Sequence, residues 1–520
     1  MGRTKIVEYY NERYKGSLNE NTCDILEQLY EADVVPDLRH CIYELSDDDV
    51  EKIIYSMESY GMYPDGVDKK LGTLDDMQTV GVAFMYWAGK CILGDSVGLG
   101  KTVQVSGLIN LLKMEYEKRG EEFHVLYLTE GPLFDSDDTR HNLIKFTGDY
   151  WYKLAGVKTA NQKWMKNHPN GIDSHVIAPH SLFKQDLFAS WMNSCDEIPF
   201  DMIVVDESSV LGNTKTEITK QARILLKVFD RIIFLNATPF ESKLSVFYSQ
   251  LSLVDEKLLP TKSNFEKEYV VFDYTGMYPR PSGKYKNAEQ FRKLVGYRYF
   301  ARTRRENGAV MEDCDFKVFL SELTPVQKDL LKKTHLNQMV FDYPTYFDSS
   351  IEFDENNVPK LADLLSIMHN QCKEAETIII FTVYKEYQEP LVDWLNMQGW
   401  SSRVMNGETK KEERKEIVSA FKNKQFRVLI TNVQKGLNFG NCDYCIFYSY
   451  NPNPNKMIQM EGRITRSFDI IGKNVYLLCS KGQEYTTLNK RVRERAKASA
   501  EFSKADLSCI MELLLGGDNE

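Results

Sequence analysis

Three groups of residues have the types and spacing to do chemistry. The first is Gly94-Asp95-Ser96-Val97-Gly98-Leu99-Gly100-Lys101-Thr102, which follows the apolar run Cys91-Ile92-Leu93 and opens an amphipathic pattern over 103–112. A strand, a glycine turn and a helix start in that order make a phosphate-binding loop. Glycines let successive N–H groups turn toward an anion, and the helix N-terminus adds partial positive charge. Lys101 has the reach for β- and γ-phosphates, and the Thr102 hydroxyl suits Mg²⁺. The loop departs from the strict pattern G-x-x-x-x-G-K-[ST]: Asp95 stands at the first glycine position and Gly94 comes one residue early. The second group is Asp206-Glu207, directly after Met202-Ile203-Val204-Val205. At such a strand end one carboxylate can hold Mg²⁺ through water and the next can orient an attacking water. The third is Gln459, Arg463 and Arg466, spaced i, i+4, i+7 and expected on one face of a helix entered through Pro454. Two guanidiniums so placed can straddle a transferring phosphoryl group.

These groups need elements to hold them. From residue 74 short apolar strands alternate with helices, with strands expected at 90–93, 124–129, 175–178, 202–205 and 231–235. A second set spans about 320–480, with strands expected at 377–381, 402–405, 427–431, 444–448 and 474–478. Alternation of this kind argues for α/β lobes with parallel sheets, whose ligand sites lie at the carboxyl ends of the strands. The second lobe has no glycine loop ending in Lys-Ser or Lys-Thr. It reads as a partner lobe that contributes arginines across a shared nucleotide cleft. Thr409-Lys410-Lys411-Glu412 reads as a capping box opening one of its helices.

A length of 520 residues corresponds to about three domains. No run of eighteen apolar residues occurs, so no membrane span is expected. The ten cysteines are scattered, as in a reducing compartment. Cys442-x-x-Cys445 has no second pair nearby and reads as flanking a buried strand rather than as a zinc site. The net charge of −10 is localised: residues 1–76 hold eighteen Asp/Glu and eight Lys/Arg, a balance of −10. Residues 1–72 accordingly read as an acidic helical accessory domain, a regulator or a docking site for a protein partner. Helix-spaced apolar residues fall at 25–30 and 50–60, and Ser46-Asp47-Asp48-Asp49 reads as the capped start of the second helix. Residues 259–317 are rich in Tyr, Pro and Gly. Between 280 and 305 there are nine Lys/Arg and one acid, Glu289, with Tyr285, Tyr297 and Tyr299 interleaved. That composition suits either a backbone-tracking nucleic-acid surface or a solvated linker. A basic helix expected over 484–502 reads as a brace on the second lobe or a DNA contact. The expected boundaries are thus 1–72, 73–258, 259–317, 318–485 and 486–520.

Taken in order, these residues resemble the Swi/Snf-type ATPases of helicase superfamily 2, double-stranded DNA translocases, in a minimal prokaryotic or phage form. Gln78 sits where the family's adenine-reading glutamine lies. Gly94 to Thr102 resembles the family's first motif, including the Asp that breaks the strict glycine spacing. Asp206-Glu207-Ser208-Ser209 resembles Asp-Glu-Ala-His or Asp-Glu-Ser-His, with Ser209 in place of the His. Asn236-Ala237-Thr238-Pro239 is similar to the motif that links ATP state to DNA. Arg302-Thr303-Arg304-Arg305 resembles the family's arginine-rich crossing between lobes. Leu323-Thr324-x-x-Gln327 and Lys360-Leu361-x-x-Leu364-Leu365 resemble the opening of its second lobe. Residues 431–438, with Thr431, Asn432 and Gly436, resemble motif V, although Lys435 replaces a usual glycine. Gln459-x-x-x-Arg463-x-x-Arg466 resembles motif VI.

The resemblance implies two RecA-like lobes around a nucleotide cleft, plus a small N-terminal helical domain. It implies ATP and Mg²⁺ as cofactors, double-stranded DNA as partner, and translocation driven by ATP hydrolysis. Gln78, Gly98, Leu99, Gly100, Lys101, Thr102 and Gly436 would bind ATP, with Thr102 and Asp206 on the metal. Lys101, Asp206, Glu207, Gln459, Arg463 and Arg466 would carry catalysis. Thr238, Arg302, Arg304, Arg305, Thr431 and Asn432 would contact nucleic acid or couple it to ATP. A strand-separating helicase on DNA or RNA, and an inactive nucleic-acid-binding scaffold, are the alternatives. A bacterial cytoplasmic protein, or a phage protein in a bacterial host, is the expected setting.

Overall fold

Runs of aliphatic residues bounded by polar turns build two parallel sheets. The computed structural model describes residues 38–504 except 155–157, 170–173, 196–197, 241–242, 276–277, 335–336, 434–438, 440–441, 450, 452 and 466–468. The first sheet has seven strands: β1 (Lys90–Leu93), β2 (Val125–Thr129), β3 (Trp151–Lys153), β4 (His175–Pro179), β5 (Met202–Asp206), β6 (Arg231–Leu235) and β7 (Tyr299–Phe300), in the order β7-β1-β6-β5-β2-β4-β3. Six strands form the second: β8 (Asp315–Ser321), β9 (Ile378–Phe381), β10 (Ser402–Met405), β11 (Val428–Thr431), β12 (Tyr444–Phe447) and β13 (Asn474–Ser480), in the order β8-β13-β12-β9-β11-β10. Every pairing within both sheets is parallel. These are two RecA-like α/β lobes. The chain divides accordingly into one unit running to Gly308 and joined by Glu501–Asp506, and another over Ala309–Ala500.

The boundary expected at residue 72 is not a break in packing. Helix α1 (Asp47–Tyr60) starts as expected, with Ser46 as N-cap accepting from the Asp49 N–H. Its buried face, Val50 and Ile53, joins Leu38, Ile42 and Leu45 in the same core as β1, β2 and helix α3 (Lys101–Arg119). Inside that core the Asn110 amide donates to the carbonyls of Cys41 at 2.9 Å and Phe146 at 3.0 Å. Two acids of the segment also pair within this unit. Glu58 meets Arg140 at 2.7 Å and Asp47 meets Lys145 at 2.8 Å. The remaining acids of 1–37, and the helix expected over 25–30, lie outside the described residues.

The basic stretch after residue 258 is folded, not a bare linker. A hairpin pairs Val270–Asp273 with Arg280–Tyr285, a helix follows over Ala288–Val295, and β7 then extends the first sheet. Two of its three interleaved tyrosines serve packing. Tyr299 is buried and donates its hydroxyl to the Ser503 carbonyl, while Tyr285 lies edge-on against Phe240. Tyr297 is the exposed one, tilted against Trp87. The hairpin's Arg280 and Lys284 remain exposed.

In the second unit, Thr324 and Gln327 form the capping box of the helix Pro325–Lys333. The box expected at Thr409 is not made: Lys410 is the N-cap, and the Thr409 hydroxyl accepts from the Asn406 N–H instead. Lys360, singled out in the sequence, is wholly buried between two carboxylates, Asp342 at 2.7 Å and Glu484 at 2.9 Å. Burial works against its charge but the two acids outweigh it, so the ammonium is held above its ordinary pKa. Asp342 is pushed up to about 6, by burial first. Cys442 and Cys445 are buried at the start of β12.

Ile53 is fully buried in the first unit's core although it lies outside the expected motor. Ile53→Ala should therefore destabilise that unit by about 2–5 kcal/mol, read by chemical unfolding. A surface accessory domain would instead leave the main transition in place.

Candidate active site

The phosphate loop joins β1 to α3 at the carboxyl edge of the first sheet. Gly98 and Gly100 take φ of 92° and 72°, a region that side chains strain to enter. A Cβ on Gly100 would also lie 2.6 Å from the Gln78 amide nitrogen. Gln78 thus rests on the loop from the first turn of helix α2 (Asp76–Ala88), held there by a reciprocal capping box with Asp75. Lys101 Nζ donates to the carbonyls of Asp95 at 2.6 Å and Ser96 at 3.2 Å. Withdrawal from water holds Lys101 below the ordinary lysine pKa, opposed by the carboxylates of Glu207, Asp95 and Asp206.

The residue that breaks the strict glycine spacing has a structural use. Asp95 is fully buried and receives both Nε (3.0 Å) and Nη2 of Arg302. Arg302 Nη1 donates to the Met77 carbonyl and Nη2 to Gln104 Oε1 at 2.9 Å. Gln104 returns its own amide to Asp95 at 3.0 Å and to the Leu99 carbonyl at 2.9 Å. Gly81 on α2 has no Cβ because Gln104 and Arg302 occupy that space. Backbone bonds continue the attachment. The N–H of Gly94 donates to Phe300 at 2.6 Å and that of Ser96 to Arg302 at 3.0 Å, while Arg304 Nε donates to the Val97 carbonyl at 2.8 Å. Arg302 is 3% exposed, so it is no nucleic-acid contact. Arg304 is turned onto the phosphate loop, and Arg305 alone of the three arginines is exposed.

Asp206 closes β5 in the strand pairing beside β2 and β6. It is pushed up to about 7, by burial first and then by the charge of Glu207, against the pull of Lys101. Glu207 has φ 50°, a conformation that a non-glycine residue holds only when its surroundings enforce it. His180 Nε2 lies 2.7 Å from the Asp206 carbonyl. Gln250, on helix α4 (Leu244–Val254), ties the acid pair to the Asn-Ala-Thr-Pro turn. Its Oε1 accepts from Ser208 and from Asn236, both at 2.8 Å, and its amide donates to the Pro239 carbonyl at 3.0 Å. Asn236 in turn accepts from the Thr238 N–H at 3.0 Å. Neither His180 nor Gln250 was singled out in the sequence. A lone glutamine inside the apolar run Leu-Ser-Val-Phe-Tyr-Ser-Gln-Leu-Ser-Leu-Val was the available signal for the second.

Among the described residues of this unit, the buried hydroxyls of Ser96, Thr129 and Thr238 have no hydrogen-bond partner, and that of Tyr127 lies beside Asp206 and Thr102 without a bond of good geometry to either. Buried polar groups are almost always paired. All four lie in or beside the phosphate loop, the Asp206 strand end and the Asn-Ala-Thr-Pro turn. Two adjacent acids, an ammonium and unpaired hydroxyls are a donor set suited to a triphosphate with a hydrated divalent cation.

In the second unit, Thr431 is buried at the end of β11 and accepts from the Val433 N–H at 3.0 Å, with Asn432 between them. Gln459 lies on helix α5 (Pro454–Glu461), but Arg463 does not. The helix stops at Glu461, whose carbonyl takes both the N–H and the hydroxyl of Thr465 at 3.2 and 3.0 Å. The Arg463 carbonyl accepts from the Phe439 N–H at 3.1 Å. The single helix face expected for the three residues is therefore not formed, although Gln459 and Arg463 are both buried. Arg466 and Gly436 lie outside the described residues.

The chain matches the family model of the SNF2-related domain over residues 77–374 and that of the helicase conserved C-terminal domain over 358–468. It belongs to the SNF2-related family. As an SNF2-related protein it is a nucleic-acid-dependent ATPase. One relative is the "Uncharacterized ATP-dependent helicase YqhH" of Bacillus subtilis (strain 168), 22% identical over 436 residues, covering 76% of this chain and 72% of that protein. Another is the "Putative ATP-dependent helicase/translocase YwqA" of the same organism, 23% identical over 425 residues. That match covers 74% of this chain but only 44% of YwqA. Among solved structures, the "Sulfolobus solfataricus SWI2/SNF2 ATPase core in complex with dsDNA" matches 84% of this chain and 94% of that one, at 18% identity and a TM-score of 0.38.

The buried pair in this SNF2-related ATPase sets a direct test. Arg302→Met leaves the Asp95 charge buried and uncompensated and should cost about 3–5 kcal/mol of stability. Adding Asp95→Leu should return most of that loss. Unfolding curves of the two single variants and the double variant measure the coupling, and additive losses would mean that the two groups do not act as a pair.

Proposed function

We propose that the protein is an ATP-driven translocase on double-stranded DNA that displaces or remodels DNA-bound protein or DNA structures. One observation carries this reading: the segment leaving the first unit is fastened to the phosphate loop. The Arg302 side chain, the Arg302 carbonyl and Arg304 all bind residues 95–97. Whatever the loop grips is thereby linked to the start of the crossing into the second unit. An ATPase that only hydrolyses has no need of that attachment, whereas a motor needs one.

In this reading Lys101 and the loop amides hold the β- and γ-phosphates, and Gln78 reads the adenine. Thr102 and Asp206 would hold Mg²⁺, which when bound neutralises charge on the transferring phosphoryl group. Glu207 orients the attacking water, and Arg463 and Arg466 stabilise the developing charge. Gln250 passes changes at Asp206-Glu207 to Thr238. Arg305, Arg280 and Lys284, exposed on the basic segment, supply sequence-independent phosphate contacts, and Thr431 and Asn432 contribute on the second unit. The acidic residues before position 38 offer a docking site for a protein partner, and a bacterial cytoplasmic setting fits the Bacillus relatives. Between Phe439 and Gln459 the described residues form one strand, a turn and a helix start, with no wedge hairpin among them, which favours translocation over strand separation.

Turnover should rise with duplex DNA above its rate with single-stranded DNA, RNA or no nucleic acid. The protein should strip a third strand from a triplex without melting a tailed duplex. Lys101→Ala should abolish both activities. Arg463→Ala should keep nucleotide binding and lose about 10³-fold in turnover. Robust separation of a tailed duplex by the protein alone would favour the strand-separating helicase instead.

A further inference from the structure

Tyr127 has a role that neither its sequence context nor the motifs suggest. It lies inside β2, paired with Val204 of β5. Side chains alternate along a strand, so Tyr127 and Thr129 share a face with Val204 and Asp206. That face is covered by α3: Tyr127 and Val204 pack in one core with Val105 and Leu108. The ring is fully buried, with Trp151 edge-on at 6.1 Å. Its hydroxyl lies within interaction range of the Asp206 carboxylate, at the end of β5, and of the Thr102 hydroxyl, at the start of α3. Yet it makes no hydrogen bond of good geometry to either of them. A phenylalanine would fill the same core without that cost.

We propose that Tyr127 is a positioning residue for the magnesium of the nucleotide site, its hydroxyl bonding to the cation's water shell beside Thr102 and Asp206. This rests on the reading of Thr102 and Asp206 as metal-holding residues. Groups one layer behind the ligands orient them and tune the affinity of such sites. The poorly bonded hydroxyl is then the cost of a contact made only when the cation is present.

Tyr127→Phe in the full chain separates the possibilities, because it keeps the ring and removes only the hydroxyl. Two measurements are needed: thermal unfolding without nucleotide, and binding of a fluorescent ATP analogue by anisotropy, in EDTA and across a Mg²⁺ titration. Unfolding should be unchanged or shifted up by about 1–3 °C. Binding in EDTA should be unchanged, while the Mg²⁺ concentration for half-maximal enhancement should rise about three- to tenfold. Superimposable Mg²⁺ titrations would overturn the proposal. So would a drop of several degrees in unfolding temperature, since the hydroxyl would then already have a partner. A wild-type protein whose nucleotide binding ignores Mg²⁺ would instead remove the metal reading on which the proposal stands.

Discussion

The ion pair between Arg302 and Asp95 is the constraint on which the first unit depends. Both groups lie out of water, and an unpaired charge there would cost several kcal/mol. The guanidinium avoids that cost by spending its donors on Asp95, Gln104 and the Met77 carbonyl. Gln104 spends its amide on Asp95 and Leu99. The network is therefore close to fully satisfied, the condition under which a buried polar cluster specifies one geometry. What it specifies is the shape of the phosphate loop. Asp95 and Leu99 bracket the turn, and α2, β7 and α3 meet there.

A second hub works the same way at the opposite edge of the site. Gln250 holds Ser208 and Asn236 through one oxygen and Pro239 through its amide. Between the two hubs sit Lys101, Asp206 and the strained Glu207, together with hydroxyls that lack partners. The groups of the two hubs fix the frame, and the hydroxyls of Ser96, Thr129 and Thr238 that lack partners lie in or beside the loop, strand end and turn that the hubs hold. The second unit has its own buried hub in Lys360, whose two carboxylates come from the short helix Asn337–Asp342 just upstream and from helix α6 (Gln483–Ser503).

Much of this could be read from the residues in order, and the remainder fails for identifiable reasons. Apolar runs bounded by polar turns located ten strands of the two sheets, because parallel strands buried on both faces leave a continuous hydrophobic signature. The three-residue β3 and two-residue β7 were too short to leave one, and β8 is half-buried or exposed at all but its last residue. Gly98, Gly100, Lys101, Thr102 and Asp206-Glu207 were legible because a phosphate loop and a strand-end acid are local patterns. Arg302 was expected to contact nucleic acid or to couple it to ATP, and its burial could not be read because its partner lies 207 positions away and no local pattern distinguishes a buried arginine from a solvated one. The helix carrying Gln459 ends at Glu461, an early stop that i, i+4 spacing does not register. Helix spacing also located α1 but could not say which core its apolar face would join.

The position of β7 decides where the chain can be divided. The alternation of strands and helices stops near residue 258, and a fragment ending there would look like a complete lobe. It would lack β7, leaving Ile92 and Leu93 on a bare sheet edge open to pairing with another copy. It would also retain Asp95 and Gln104 without the guanidinium that holds them. Such a fragment is set up to aggregate through the strand that carries the phosphate loop. The first unit extends through the basic hairpin to Gly308 and takes in Glu501–Asp506 as well, so the segment that looks most like a dispensable connector belongs to the lobe it leaves.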